Sequence, residues 1–183
     1  SRIVLWSSFA LFISGTLFIG ALEWNNPGTL GPLSPIDKIW DSMFAAVMPR
    51  TAGFNSIDIT QMNPASWLGI EILMFIGGAS ASTAGGIKLG TFVVLLFVVY
   101  TEIRGEAAVN IGNRRLPRSM QRQALAIVTI TASVVIGAVM LLRLTTSFSL
   151  DEILFEVVSA TGTVGLSSGI TADLPPHGKF LLA

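Results

Sequence analysis

Two short stretches carry residue types that could hold an ion. Thr51-Ala52-Gly53-Phe54-Asn55-Ser56 and Thr163-Val164-Gly165-Leu166-Ser167-Ser168 each place a glycine two residues after a threonine, with a serine three residues further on. Each follows a short apolar segment with helical spacing, 36–48 and 149–160. A helix C-terminus carries about half a negative charge, and carbonyls of an extended turn just beyond it can replace a cation's water shell. Glycine suits such a turn because it reaches backbone angles that aim a carbonyl without a Cβ clash. Selection among cations would then rest on the number, spacing and field of carbonyls, with no side-chain charge in that layer. Other chemistries find less support. The chain has no cysteine, which excludes disulfides and thiolate metal sites, and its single His177 has no cluster of ligands around it. No catalytic constellation is present, so neither an enzyme nor a resident metal or cofactor is expected.

Such turns need a scaffold, and composition indicates a lipid-embedded one. Hydrophobic residues make up 51% of the chain and charged residues 12%, where a soluble domain has about 25% charged. The mean hydropathy is +0.70. Residues 3–22 and 123–142 are charge-free runs long enough to span a bilayer, and 65–100 is a third, interrupted run. Two of these lie deep in the chain, so a cleaved leader does not explain them. The expected class is an all-α integral membrane protein, with no nucleic-acid partner.

The net charge of zero hides an asymmetry. Arg104, Arg114, Arg115, Arg118 and Arg122 face one acid, Glu106, whereas segments 23–58 and 145–173 hold eight acids against Lys38 and Arg50. The positive-inside rule places 104–122 in the cytoplasm and the acidic segments outside. That acidic outer face would enrich cations near the protein. The basic loop reads as a topology determinant, with anionic lipid or a cytosolic partner as the alternative role.

The chain is organised as a long helix, a short helix with a turn, and a second long helix, begun again after 122. The first unit covers 1–103, the loop 104–122, and the second unit 123–183. A short helix of this length reaches about 20 Å, too little to cross. Pro35 and Pro49 bracket the first short helix. Ser149 is placed as N-cap of the second, with Asp151 and Glu152 in its first turn. At an offset of 112 residues Thr51 falls on Thr163, Gly53 on Gly165, Ser56 on Ser168 and Pro64 on Pro176. Internal repeats of this kind mark transporter architectures. The chain opens on Ser1-Arg2 and stops at Phe180-Leu181-Leu182-Ala183, in the first turns of another apolar helix, so a larger protein is expected around it.

The interrupted run breaks at ten consecutive small residues: Gly77, Gly78, Ala79, Ser80, Ala81, Ser82, Thr83, Ala84, Gly85 and Gly86. A helix-packing face would need small residues only every fourth position. A phosphate loop fails because Ile87 separates Gly86 from Lys88 and Leu89 comes next. Ten residues of low helix propensity without bulky anchors can instead occupy a pore axis and move aside. Irregular backbone at membrane depth is tolerated where it is buried or lines a wet cavity.

These motifs carry a resemblance. Met48-Pro49-Arg50-Thr51-Ala52-Gly53-Phe54-Asn55 resembles the third filter segment of the Trk/Ktr/HKT superfamily of potassium transporters. Ala160-Thr161-Gly162-Thr163-Val164-Gly165-Leu166-Ser167 is similar to the fourth. The small-residue stretch resembles the intramembrane gate loop of the third repeat, with wording closest to the membrane subunit of the Ktr branch. The resemblance covers nearly the whole chain and implies two of four helix–pore-helix–helix repeats around one pore. It implies that Gly53 and Gly165 are filter glycines, with Thr51, Ala52, Phe54, Thr163, Val164 and Leu166 forming the adjoining filter positions. It further implies a multi-pass plasma-membrane protein that transports K+, is stimulated by Na+, forms a homodimer, and works with a cytosolic ring of nucleotide-binding (RCK-type) regulatory subunits through which ATP acts. With one filter glycine per repeat, the filter is simpler than the fuller TVGYG signature.

Three charges complete the candidate site. Arg50 reads as a snorkelling or helix-end cation, or as a strut behind the filter paired with Glu71, whose carboxylate is costly inside an apolar helix. Lys88 reads as a snorkelling lysine or as an inner-pore barrier. A secondary transporter of a small organic substrate would share the broken helix, but it would not need two glycine turns. A membrane scaffold is the third alternative, and growth at low potassium would separate it from a transporter.

Overall fold

The computed structural model describes residues 2–50, 52–78, 86–105, 109–111 and 114–182. The two charge-free runs become the helices α1 (Arg2–Glu23) and α5 (Arg118–Thr145), both long and apolar enough to cross a bilayer. Their outward faces are apolar: Leu5, Trp6 and Leu17 on α1, and Ile130, Ile136 and Met140 on α5, are each at least 60% exposed. Meanwhile the carboxylates Glu23, Glu71 and Glu156 are buried. Apolar residues outside and charges inside is an arrangement for lipid, since an isolated soluble domain rarely exposes contiguous apolar surface on this scale.

α5 starts five residues before the predicted 123. Arg118 and Arg122 lie on a helical extension of the apolar run, which at 28 residues is about 42 Å long. The predicted loop 104–122 shortens accordingly. Within it Asn110–Ile111 (β1) and Arg114–Arg115 (β2) form a two-residue antiparallel ladder, a small departure from the all-α expectation.

The short helices are α2 (Pro35–Val47) and α6 (Leu150–Thr161). Ser34 caps α2 by accepting the Asp37 N–H, with Pro35 at the first helical position where its missing N–H costs nothing. α6 opens on a full capping box: Ser149 Oγ accepts from Glu152 N at 3.3 Å, and Ser149 N donates to Glu152 Oε2 at 2.8 Å. The interrupted run resolves into α3 (Pro64–Phe75) and α4 (Leu89–Arg104), and α7 (Pro176–Leu182) comes after the second turn. Three-residue 3₁₀ turns, Ile59–Gln61 and Ile170–Ala172, precede the proline-started α3 and α7. The order short helix, turn, 3₁₀ turn and proline-started helix therefore occurs twice.

One core joins these elements. Ile19 of α1, Ala45 of α2, Ile70 and Met74 of α3, Val139 and Leu142 of α5, and Ile153 and Phe155 of α6 are buried together. Trp67 and Phe155 lie across the α3–α6 seam with ring centroids 5.6 Å apart, tilted by 45°, a favourable geometry for ring quadrupoles. At the end of α1, Glu23 collects the connections. It accepts from Asn26 Nδ2 and Thr29 Oγ1, each at 2.6 Å, from Asn63 N at 2.8 Å, and from the Ser66 hydroxyl. Asn63 in turn caps α3 by accepting from Ala65 N at 3.0 Å. The carboxylate thereby ties α1 to the start of α3 through the intervening linker.

Candidate functional site

Both short helices end in turns held by backbone bonds that point back into the helix. In the first, Ala52 N donates to Met48 O at 3.2 Å. In the second, Thr163 N donates to Ala160 O and Val164 N to Ser159 O, both at 2.9 Å. Among the described residues, no hydrogen bond ends on the carbonyls of Gly53, Val164 or Gly165.

The backbone at these points is left-handed, with φ of +68° at Gly53 and +85° at Gly165; Thr163 also takes φ of +53°. That region is open to glycine and penalised for residues with a Cβ. The two glycines face each other. A Cβ built on Gly53 would lie 2.6 Å from the Val164 carbonyl oxygen, and one built on Gly165 would lie 3.8 Å from Gly53 Cα. Two positions 112 residues apart in the chain thus meet at one point.

The second turn is extended and alternates. Val164 and Leu166 are buried in the core, while Thr163 and Gly165 are exposed. The open side borders a cavity of about 390 Å³, whose lining includes Ser159, Thr163, Gly165, Ser167 and Leu182. In the first turn, Phe54, the counterpart of Leu166, is 72% exposed, and Ala52 is exposed as well. The two turns share their glycine geometry but not their packing. Thr51 lies outside the described residues.

The break between α3 and α4 is a pinned neck. Ile76 and Ile87 form a parallel bridge. Gly77 N donates to Ile87 O at 2.9 Å, Ile87 N to Phe75 O at 3.1 Å, and Leu89 N to Gly78 O at 3.2 Å. These bonds satisfy end groups that a broken helix would otherwise leave open. The neck sits against the second turn: a Cβ on Gly86 would be 3.7 Å from Gly162 Cα, and one on Gly162 would be 3.1 Å from Met74 O. Of the small-residue stretch, Gly77, Gly78 and Gly86 are described; Ala79, Ser80, Ala81, Ser82, Thr83, Ala84 and Gly85 lie outside the described residues.

The three candidate charges lie on different elements. Arg50 Nη2 donates to the Ser8 carbonyl of α1 at 3.1 Å. This bond ties the first turn to α1. Glu71 is buried on α3. Lys88 occupies the N-cap position of α4 with an exposed side chain. The acidic outer face also needs correction: of its eight acids, Glu23 and Glu156 are buried in hydrogen-bond networks and present no surface charge.

Glu156 is the residue that sequence reasoning missed. It sits in the middle of α6, and its carboxylate accepts from Ser167 Oγ at 2.5 Å, Ser168 N at 3.0 Å, Ser168 Oγ at 3.2 Å and Thr171 Oγ1 at 2.9 Å. The available signal was an acid inside the apolar run Ile153–Ser159, with a Ser-Ser pair further along the chain.

The chain is 42% identical over 180 residues to the Ktr system potassium uptake protein B of Bacillus subtilis, covering 94% of this chain and 40% of that protein. It is 36% identical over 182 residues to the protein of the same name from Vibrio alginolyticus, covering 100% and 40%. It is 35% identical over 190 residues to the potassium/sodium uptake protein NtpJ of Enterococcus hirae, covering 99% and 42%. The fold matches the crystal structure of the potassium transporter TrkH from Vibrio parahaemolyticus with a TM-score of 0.72 at 19% identity, over 99% of this chain and 39% of that one. The chain therefore spans about two-fifths of the length of these relatives. A family model described as TrkH, cation transport protein, matches residues 2–183, and the chain belongs to that family.

Proposed function

We propose that this chain supplies part of the conduction path of a multi-pass plasma-membrane protein that takes up K+. The observation that carries the reading is the meeting of Gly53 and Gly165, both left-handed, each just beyond the C-terminus of a short helix. Two half-charges of negative sign converge there, beside carbonyls that no hydrogen bond of the described residues occupies. That combination suits a dehydrated monovalent cation and offers nothing to an organic substrate. Gly53 and Gly165 serve as filter glycines, with Thr51, Ala52 and Phe54 on one side and Thr163, Val164 and Leu166 on the other. Filter strands from sequence outside this chain complete the ring, in a pore of four such repeats.

Below the filter, residues 77–86 act as the gate. Their composition supports this, as does the neck, which bridges Ile76 to Ile87 and sets Gly86 against Gly162. The loop between α4 and α5 faces the cytoplasm, where its arginines favour retention on that side. A cytosolic ring of nucleotide-binding (RCK-type) subunits and a homodimeric membrane subunit are the assembly implied by the family resemblance. Na+ enters as a stimulating ion on the same ground, and the name of the Enterococcus hirae relative is in keeping with it.

The test is ion flux. Gly53→Ser in the full-length protein, reconstituted in liposomes, is expected to lower the preference for K+ over Na+. If preference and transport are both unchanged, the filter assignment fails.

A further inference from the structure

We propose that Glu156 is a positioning residue that sets ion preference by strapping the second glycine turn to its own pore helix. This inference rests on the filter reading above. Glu156 is 5% exposed and touches no transported ion in that reading; it acts through the backbone just after Gly165. An ionised carboxylate has only acceptor sites, about four of them, and here four donors meet it. Three of these bonds end on Oε1: Ser167 Oγ, Ser168 N and Ser168 Oγ. The fourth, from Thr171 Oγ1, ends on Oε2. The Ser168 N–H bond matters most, because it grips the main chain three residues beyond the filter glycine.

The strap completes a clamp. On the helix side of Gly165, Val164 is buried and its N–H is bonded to Ser159 O at 2.9 Å. On the far side, Leu166 is buried and Ser168 is held by Glu156. The Gly165 carbonyl lies between two fixed points, although its own residue is the most permissive in the turn. A carbonyl layer can select by ion size only while its spacing is held, and charge-assisted bonds are the stronger kind for holding it.

Among the described residues the first turn has no such carboxylate strap. At the 112-residue offset Glu156 falls on Phe44, which is 44% exposed and carries no acceptor. That turn is tied by Arg50 to Ser8 O instead. The two turns that meet at Gly53 and Gly165 are therefore held by different side chains among the described residues.

The experiment uses the full-length protein in liposomes, with K+ and Na+ flux measured separately and folded protein quantified by its melting temperature and size-exclusion profile. Glu156→Gln keeps the shape but removes the charge from all four bonds. The expected result is a fall of roughly tenfold in the K+/Na+ flux ratio, the size of one weakened charge-assisted bond, in protein that remains assembled. Glu156→Asp restores the charge and is expected to recover part of the ratio. Thr171→Val removes the Oε2 bond, together with the 2.8 Å hydroxyl contact between Thr171 and Ser167, at an exposed position and is expected to lower the ratio roughly threefold; it keeps the test decisive should Glu156→Gln fail to assemble. If the ratio stays at its starting value in the assembled variants while Gly53→Ser lowers it in the same assay, the strap is refuted and the filter stands. If Gly53→Ser also leaves it unchanged, the filter reading fails and the strap falls with it.

Discussion

Alanine at Gly53 and alanine at Gly165 are the same change at repeat-related positions, yet the structure makes them unequal. Both glycines have positive φ, +68° and +85°, so each alanine loses about 1 kcal/mol of backbone energy. The second contribution differs. At Gly53 the new methyl would sit 2.6 Å from Val164 O, about 0.8 Å short of the 3.4 Å at which ordinary contact begins. The obstacle is a backbone carbonyl with no side-chain freedom to yield. At Gly165 the nearest atom would be Gly53 Cα at 3.8 Å, already an ordinary contact. Relieving the first clash must displace the Val164 carbonyl, and a designed or natural site tolerates about 0.5 Å of misplacement. Overpacking of this kind costs about 1–3 kcal/mol, and each 1.4 kcal/mol is about tenfold in a ratio. Gly53→Ala is therefore expected to lower the K+/Na+ flux ratio by about tenfold or more relative to Gly165→Ala, and to lose about 1–3 kcal/mol more stability. The assay is paired K+ and Na+ flux in liposomes with melting temperature in detergent. Equal ratios in the two variants, or a larger loss for Gly165→Ala, would refute the reasoning from contact geometry.

Other parts of the fold give two further expected outcomes. Glu23→Ala removes the shared acceptor of Asn63 N and the fully buried Ser66 hydroxyl; with about 1–3 kcal/mol lost for each buried group left without a partner, the melting temperature should fall by several degrees and Glu23→Gln should restore part of it, whereas an unchanged melting temperature would remove the hub role. Deleting residues 79–84 is expected to raise K+ flux and loosen its regulation. Parallel neighbours such as Ile76 and Ile87 cannot be joined by a tight hairpin, so the shorter deletion of 80–83 controls for damage to the neck. Loss of flux in both deletions, with the protein still inserted and assembled, would make the loop a support and not a barrier.

Local chemistry determined much of this protein from its sequence alone. Charge-free runs at 3–22 and 123–142 specify long helices, because a bilayer demands apolar length and nothing in those runs opposes helix formation. Ser149 with Glu152, and Pro35, Pro64 and Pro176, mark helix starts, because caps and prolines act within one turn of themselves. The two glycine turns were legible for the same reason: each lies directly after its own short helix in the chain. Tertiary structure decided everything that depends on through-space partners. Glu23 and Glu156 look like surface acids in a charge count and are buried acceptors in the fold, since only packing reveals which donors surround them. Arg50 reaches the Ser8 carbonyl of α1, a partner 42 residues away that no local pattern signals. The start of α5 at Arg118 was hidden because apolar length marks the membrane and not the helix, which continues beyond it. The meeting of Gly53 with Gly165 was invisible in either motif by itself. Sequence supplied two turns that could each aim a carbonyl; packing of α2 and α3 on α1, and of α3 on α6, brought them to one place.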